Sequence, residues 1–323
     1  MKKKRTLIIA VAAVLLVGIF AAVLVINIIR ESDKAEDSDD WNVSDNNLAV
    51  FARLAYVDGK EYVGGMYDTD EISFSSGLPS EKLVKNNTGI FKKWRIEDYT
   101  SEKIAGAVFC ATTFKNGKNI VVAFRGTDDT GEWAWNIAGL GLADYHVEEK
   151  RAIEYIENVV EKYPDSKIYI TGHSLGGYLA QISAAYMIDK LKAEPEAVVY
   201  FNGIGLDYNQ NAIDNKTWAR DALTEYGKEH KLISYQVYGD IVSMIGNHSG
   251  EQISIEPDEQ LLEKYGGKDD ESDLKKNMGF FGTVIAGLAL DKNVVSYYEK
   301  YNAKSIGDYF SITHSMDNFL RID

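Results

Sequence analysis

The chain has 323 residues, 45% hydrophobic and 26% charged, enough for one large core or two small ones and too apolar for disorder throughout. Its 49 acidic residues against 35 basic ones give a net charge of -14, which argues against nucleic acid or another polyanion as partner. A single cysteine, Cys110, excludes an intramolecular disulfide, and its place in the apolar run Ala105 to Phe114 predicts a buried core thiol.

Lys2, Lys3, Lys4 and Arg5 precede an uncharged stretch, Thr6 to Ile29. As a helix this stretch would be roughly 36 Å long at about 1.5 Å per residue, enough for a bilayer's hydrocarbon core with some tilt. Secretory signals have a shorter apolar region and a small-residue cleavage site, so an uncleaved signal-anchor is the expectation, with a removed signal as the alternative. The basic cluster stays on the cytoplasmic side and the rest of the chain lies outside. The expected layout is residues 1–30 as basic tip and transmembrane anchor, 31–45 as an acidic solvated stalk, and 46–323 as one folded domain.

Along that domain, Leu48, Phe51, Ala52 and Ala55 recur at helical spacing and predict a first helix. Residues 58–100 read as loops with one short helix near Glu81 to Asn87. IAGAVFCATTF and NIVVAFRGT flank Asn116-Gly117, which predicts a hairpin. Ile153, Ile156, Val159 and Val160 mark the next helix. Strands are expected at Ile168 to Thr171, Ala197 to Gly205 and Leu232 to Tyr238, with helices between them, the last over Asn215 to His230. That alternation predicts an α/β fold with a mainly parallel central sheet flanked by helices. Ser243 to Gly267 reads as acidic loop. Met278 to Leu290 is a compact apolar patch too short to span a bilayer: a core or cap helix, or an element touching lipid or covering a site.

The stretch that carries chemistry is Gly172-His173-Ser174-Leu175-Gly176-Gly177, between the strand Ile168 to Thr171 and a helix with Leu179, Ile182, Tyr186 and Met187 on one face. Glycines two residues either side of a serine let the backbone bend sharply and leave the hydroxyl exposed on the corner, beside a helix N-terminus that favours developing negative charge. A serine hydroxyl is a weak nucleophile at neutral pH and needs a histidine base, oriented by a carboxylate. In this strand-turn-helix arrangement the acid and then the histidine follow the serine in the chain. Asp240, at the end of ISYQVY through Gly239, is the candidate acid and Asp207 the reserve. Of five histidines, His173 is expected to pack, His146 and His230 lie upstream of Asp240, and His248 follows Asp240 too closely to reach Ser174 without the loop doubling back. His314 is therefore the favoured base, with His248 second.

GHSLGG at 172–177, FRGT at 124–127, GDIV at 239–242 and a late histidine together resemble the fungal-type or class 3 lipases and the related bacterial lipase-like α/β-hydrolases. The resemblance implies an α/β-hydrolase fold with Ser174 as nucleophile, Asp240 as acid and His314 as base. It also implies that Thr127 and Leu175 supply the oxyanion-hole N–H groups, and that the segment after FRGT, with Trp133, Trp135, Ile137 and Leu140, is where a lid would stand.

The expected function is that of a serine hydrolase of carboxylic esters, with acyl lipids the favoured substrate class, held at a membrane by its N-terminal helix and working outside it. No metal or organic cofactor is implied, since the sequence has no Cys/His ligand cluster. The rival readings are a catalytically silent surface-anchored binding protein of the same fold, and an acyltransferase or peptidase using the same three residues.

Overall fold

The structure is a computed structural model that describes residues 41–70, 72, 80–104, 107–127, 146–208, 215–267 and 293–320. The expected anchor at Thr6 to Ile29, most of the stalk, and the two candidate lid segments, 128–143 and 278–290, lie outside the described residues. Among the described residues no helix is long and apolar enough to cross a membrane. One unit, Val43–Lys115 with Asn119–Asp323, carries everything below.

Its first helix, α1, is Asp45–Leu54, starting where the sequence placed the end of the stalk. Ser44 caps it by accepting the Asn47 N–H while the Asn47 side chain accepts the Ser44 N–H, so two otherwise orphaned donors are satisfied. Helices α2 (Ser80–Asn86) and α3 (Thr88–Lys93) lead to strands β1 (Arg95–Ile104), β2 (Ala107–Asn116) and β3 (Asn119–Phe124). Then follow α4 (His146–Lys162), β4 (Lys167–His173), α5 (Leu175–Asp189), β5 (Ala197–Phe201), α6 (Thr217–Tyr226) and β6 (Lys231–Val237). The chain continues through β7 (Glu251–Ile255), α7 (Glu259–Tyr265), α8 (Asn293–Tyr301), α9 (Ile306–Thr313) and a 3-10 turn over Met316–Phe319.

The seven strands lie in chain order in one sheet, β1 antiparallel to β2 and β3 through β7 parallel. Parallel neighbours need crossover connections, and α4, α5 and α6 supply three of them. Successive crossovers moving in one direction put their helices on the same face, because each crossover is right-handed. α5 accordingly packs between α4 and α6 and against β3, β4 and β5.

The period-2 alternation of a strand divides the two faces. Ile120, Val122 and Phe124 of β3, Ile168 and Ile170 of β4, and Val198 and Tyr200 of β5 join the core under α4, α5 and α6. The intervening Thr171 and Phe201 turn the other way: Thr171 donates its hydroxyl to the Leu48 carbonyl of α1, and Phe201 packs on Phe319 of the last turn. α1 thus covers the opposite face together with the end of the chain.

Two regions differ from the sequence reading. α3 lies and β1 starts within residues 58–100, read as loop with a single short helix; the β1 run RIEDYTSEKI, exposed and half-exposed, buries only Ile96 and carries no apolar alternation. β7 and α7 lie within Ser243 to Gly267, also read as loop: EQISI buries no side chain fully, so an edge strand is invisible to a pattern that looks for one dry face. The helix after the nucleophile is buried on nearly every side rather than on the single stripe expected, a consequence of its central place between two helices and the sheet.

Candidate active site

All the candidate residues stand beyond the carboxyl ends of β3, β4 and β6 or at the end of α9, the edge of a parallel sheet where loops can gather side chains from separate strands. Ser174 follows the last residue of β4 and precedes the first of α5. Its backbone is in a region that L-residues rarely occupy, φ 60 and ψ -129, as a sharp strand-to-helix corner demands. The flanking glycines are required by contact. A Cβ on Gly172 would stand 2.1 Å from the carbonyl oxygen of Gly176, and one on Gly176 would stand 2.1 Å from that of Phe124. The corner is tied to the next strand by the Ser174 N–H, which donates to the Phe201 carbonyl at 3.1 Å.

Asp240 follows β6 through Gly239, whose φ of +86 turns the chain. Its carboxylate is fully buried yet occupied at both oxygens. Oδ2 accepts the Ser243 N–H at 2.9 Å, and Oδ1 lies 2.8 Å from Nδ1 of His314. Tyr309 of α9 fixes the same loop by donating its hydroxyl to the Gly239 carbonyl at 2.6 Å. His314 is the C-cap of α9, with a largely buried side chain. A carboxylate partner at Nδ1 makes that nitrogen the protonated one and leaves Nε2 as the basic atom.

His173 departs from the expectation that it merely packs. It is buried, its Nε2–H donates to the His314 carbonyl at 2.7 Å, and its Nδ1 accepts the Tyr56 hydroxyl at 2.8 Å. The Tyr56 oxygen in turn accepts the Gly126 N–H at 3.2 Å. The imidazole is kept neutral, its pKa well below the ordinary 6.5, first by burial and then by the neighbouring His314 ring, against the opposing pull of the carbonyl it bonds. One neutral histidine thereby links the loop after β3, the corner and the residue expected to be the base. The His173 and His314 rings are 4.6 Å apart, centroid to centroid.

The loop after β3 presses on the corner. A Cβ at Gly126 would stand 2.9 Å from that of Ser174 and 2.6 Å from the His173 carbonyl oxygen. Thr127 follows as an exposed residue, and Leu175 is the first residue of α5, where a backbone N–H has no intrahelical acceptor.

The reserve candidates are engaged elsewhere. Asp207 accepts from the backbone and side-chain amides of Asn247. His248 is half-buried, donating from Nε2 to the Ser243 carbonyl at 2.7 Å, and desolvation of its ring lowers its pKa so that it is kept neutral. His230 stacks on Tyr226 and faces Glu194. Cys110 is buried, as its surroundings led one to expect. Among the described residues no group of three or more His, Cys, Asp or Glu side chains could hold a metal ion.

A family model described as Mbeg1-like matches residues 87–304, about two thirds of the chain. The chain belongs to the Mbeg1-like family. The match runs from the start of α3 through the sheet and α8, so Ser174 and Asp240 fall inside it and His314 just beyond.

The lipase-like kinship expected from the motifs is met by the relatives of this Mbeg1-like chain. An extracellular phospholipase A1 of Serratia liquefaciens is 28% identical over 165 residues, 49% of this chain and 48% of its own. The chain thus spans about half the length of that curated relative. Among solved structures, the Lip2 lipase of Yarrowia lipolytica has a TM-score of 0.42 at 19% identity, over 68% of this chain and 80% of that one. Rhizomucor miehei lipase, in its propeptide complex, has a TM-score of 0.44 at 15% identity, over 64% and 66% respectively.

Proposed function

We propose that this protein is a serine hydrolase that cleaves carboxylic esters of acyl lipids. The observation that carries the reading is the 2.8 Å contact of His314 Nδ1 with a fully buried Asp240, on an imidazole whose ring centroid lies 4.6 Å from that of His173, the residue before the strained serine corner. Such a carboxylate holds the imidazole in one tautomer and stabilises the imidazolium that forms when it takes a proton.

In the proposed cycle Ser174 Oγ attacks the ester carbonyl while His314 Nε2 removes its proton. The tetrahedral oxyanion is held by the N–H groups of Thr127 and Leu175. His314 returns the proton to the departing alcohol, leaving an acyl-serine. Water, deprotonated by the same nitrogen, attacks the acyl-serine and releases the acid. Each oxyanion donor is worth about 10²- to 10³-fold in turnover, and the α5 N-terminus adds its dipole to the Leu175 donor.

Acyl lipid as the substrate class is favoured by the Serratia relative, itself described as a phospholipase A1, and by the long apolar stretch Thr6 to Ile29, read as a single-pass anchor that holds residues 46–323 outside the membrane at a lipid surface. The test is turnover of p-nitrophenyl esters of increasing acyl length and of phosphatidylcholine vesicles, with and without detergent. Hydrolysis that rises at an interface and vanishes in Ser174→Ala is the expected result. A folded protein that leaves every ester intact would instead indicate a binding protein of this fold.

A further inference from the structure

The three proposed catalytic residues come from separate loops, so contacts beyond local chain connectivity must set their mutual distances. Ser174 and Asp240 stand after neighbouring parts of the sheet, but His314 arrives on α9, which is not a strand and shares no ladder with either. Asn202 occupies the point where these three pieces meet.

It directly follows β5, which lies between β4 and β6, and is fully buried. Its backbone N–H donates to the Tyr235 carbonyl of β6 at 2.8 Å. Its side-chain Oδ1 accepts the Val237 N–H, the last of β6 and three residues before Asp240, at 2.9 Å. Its Nδ2 donates to the Thr313 carbonyl, one residue before His314, at 2.9 Å. The residue before it, Phe201, holds the N–H of Ser174.

The backbone explains why this residue type stands there. Asn202 has φ 43, in the left-handed region, which costs most L-residues roughly 1 kcal/mol or more and which asparagine tolerates better than others. Glycine would satisfy the backbone but offers no amide, and other residues carry either strain or the wrong set of hydrogen-bonding atoms. A side-chain amide presents an acceptor to a strand N–H and a donor to a helix-end carbonyl at once, from two separate atoms. The Thr313 carbonyl belongs to the last turn of α9, whose carbonyls have no intrahelical donors; Asn318 Nδ2 donates to the Ile312 and Ser315 carbonyls at 2.8 and 3.0 Å and reaches that of Thr313 only at 3.5 Å, against 2.9 Å for Asn202.

We propose that Asn202 is the positioning residue that registers the base loop against the acid loop, its side-chain amide bridging Val237 and Thr313 so that His314 meets Asp240. This rests on the serine-hydrolase reading above. The residue is not one of the reacting groups and acts by setting His314 against Asp240.

Two variants test it. Asn202→Asp keeps the size, the tolerance of positive φ and the acceptor for Val237, but sets a carboxylate oxygen against the Thr313 carbonyl. Asn202→Gly relieves the backbone and removes both bonds. In each, kcat falls about 10²-fold, the scale of a base displaced by an ångström. KM stays within about twofold, because binding of the ground state is untouched. In resting enzyme the downfield proton resonance of His314 Nδ1–H shifts or broadens, a signature that loss of stability elsewhere would leave in place. Either variant folded with the parent's kcat and an unmoved His314 resonance overturns the proposal. If the parent itself has no esterase activity, the hydrolase reading fails, while the resonance still decides whether Asn202 places the imidazole.

Discussion

Nδ1 of His314 lies 2.8 Å from Oδ1 of Asp240, although the two residues are 74 apart in the chain and one ends a helix while the other follows a strand. The carboxylate has no exposed surface, so its charge is screened by its partners rather than by water. Asp240→Asn changes little in shape but offers an amide N–H to Nδ1, which drives the imidazole into the opposite tautomer and removes the stabilisation of its charged form. By analogy with the well-studied Ser-His-Asp hydrolases, kcat for a soluble ester should fall about 10⁴-fold with a modest change in KM. Steady-state kinetics beside a thermal melt separate this from unfolding.

Tyr56→Phe removes one hydroxyl that serves two partners, the Gly126 N–H and His173 Nδ1. Both are then left in a largely buried site without that oxygen, which should destabilise the fold by about 1 to 3 kcal/mol. Because Gly126 immediately precedes the proposed oxyanion donor Thr127, kcat should also drop by about tenfold or more, within the range for a disturbed oxyanion hole. Denaturant unfolding and kcat measured on the same preparation give the two effects. Unchanged kcat in a destabilised protein would confine the tyrosine to a structural role.

His173 and His248 both resist protonation in the folded state while an unfolded chain takes up protons near pH 6.5. Where the unfolded state binds more protons, stability rises with pH, so these two histidines make the fold weaker as pH falls below about 6.5. Each contributes a slope of up to about 1.4 kcal/mol per pH unit until its own folded-state pKa is reached. Unfolding free energies between pH 7.5 and 5.5 should therefore fall more steeply for the parent than for His248→Gln, which loses one of the two groups. Parallel curves would show that His248 is not held neutral.

The ion pair of Arg53 with Asp317, Nε to Oδ1 at 3.2 Å, is buried between α1 and the turn that follows His314. Arg53→Met strands a carboxylate in that place and should cost about 3 to 5 kcal/mol, whereas the double change Arg53→Met with Asp317→Leu should recover much of it. A double-mutant cycle by chemical denaturation measures the coupling. Near-additive losses would mean that the pair contributes little.

The parts of this architecture visible in the sequence were those whose pattern repeats locally. Ile168 to Thr171 followed by Gly-x-Ser-x-Gly and a helix is a short-range signal, and the strand, corner and helix stand where it indicates. Asp240 and His314 could be named as candidates because the order expected for a nucleophile, an acid and a base along a parallel sheet limits the choices; what the structure adds is that their side chains are in contact. β1 and β7 escaped because edge strands with wet side chains have no apolar period. Tyr56, His173 and Asn202 escaped for a different reason. Their partners are backbone groups distant in the chain, so nothing local in the sequence marks them. For His173 the sequence does carry one signal, since a histidine at the end of a central strand must satisfy two ring nitrogens wherever it is buried.

The most direct measurement is covalent labelling of the folded protein with a fluorophosphonate, followed by intact mass and peptide mapping. A hydroxyl activated by His314 takes up one phosphonyl group on the peptide containing Ser174. That adduct should disappear in Ser174→Ala and form far more slowly in Asp240→Asn. A well-folded protein that stays unmodified, or is modified on another residue, would contradict the account.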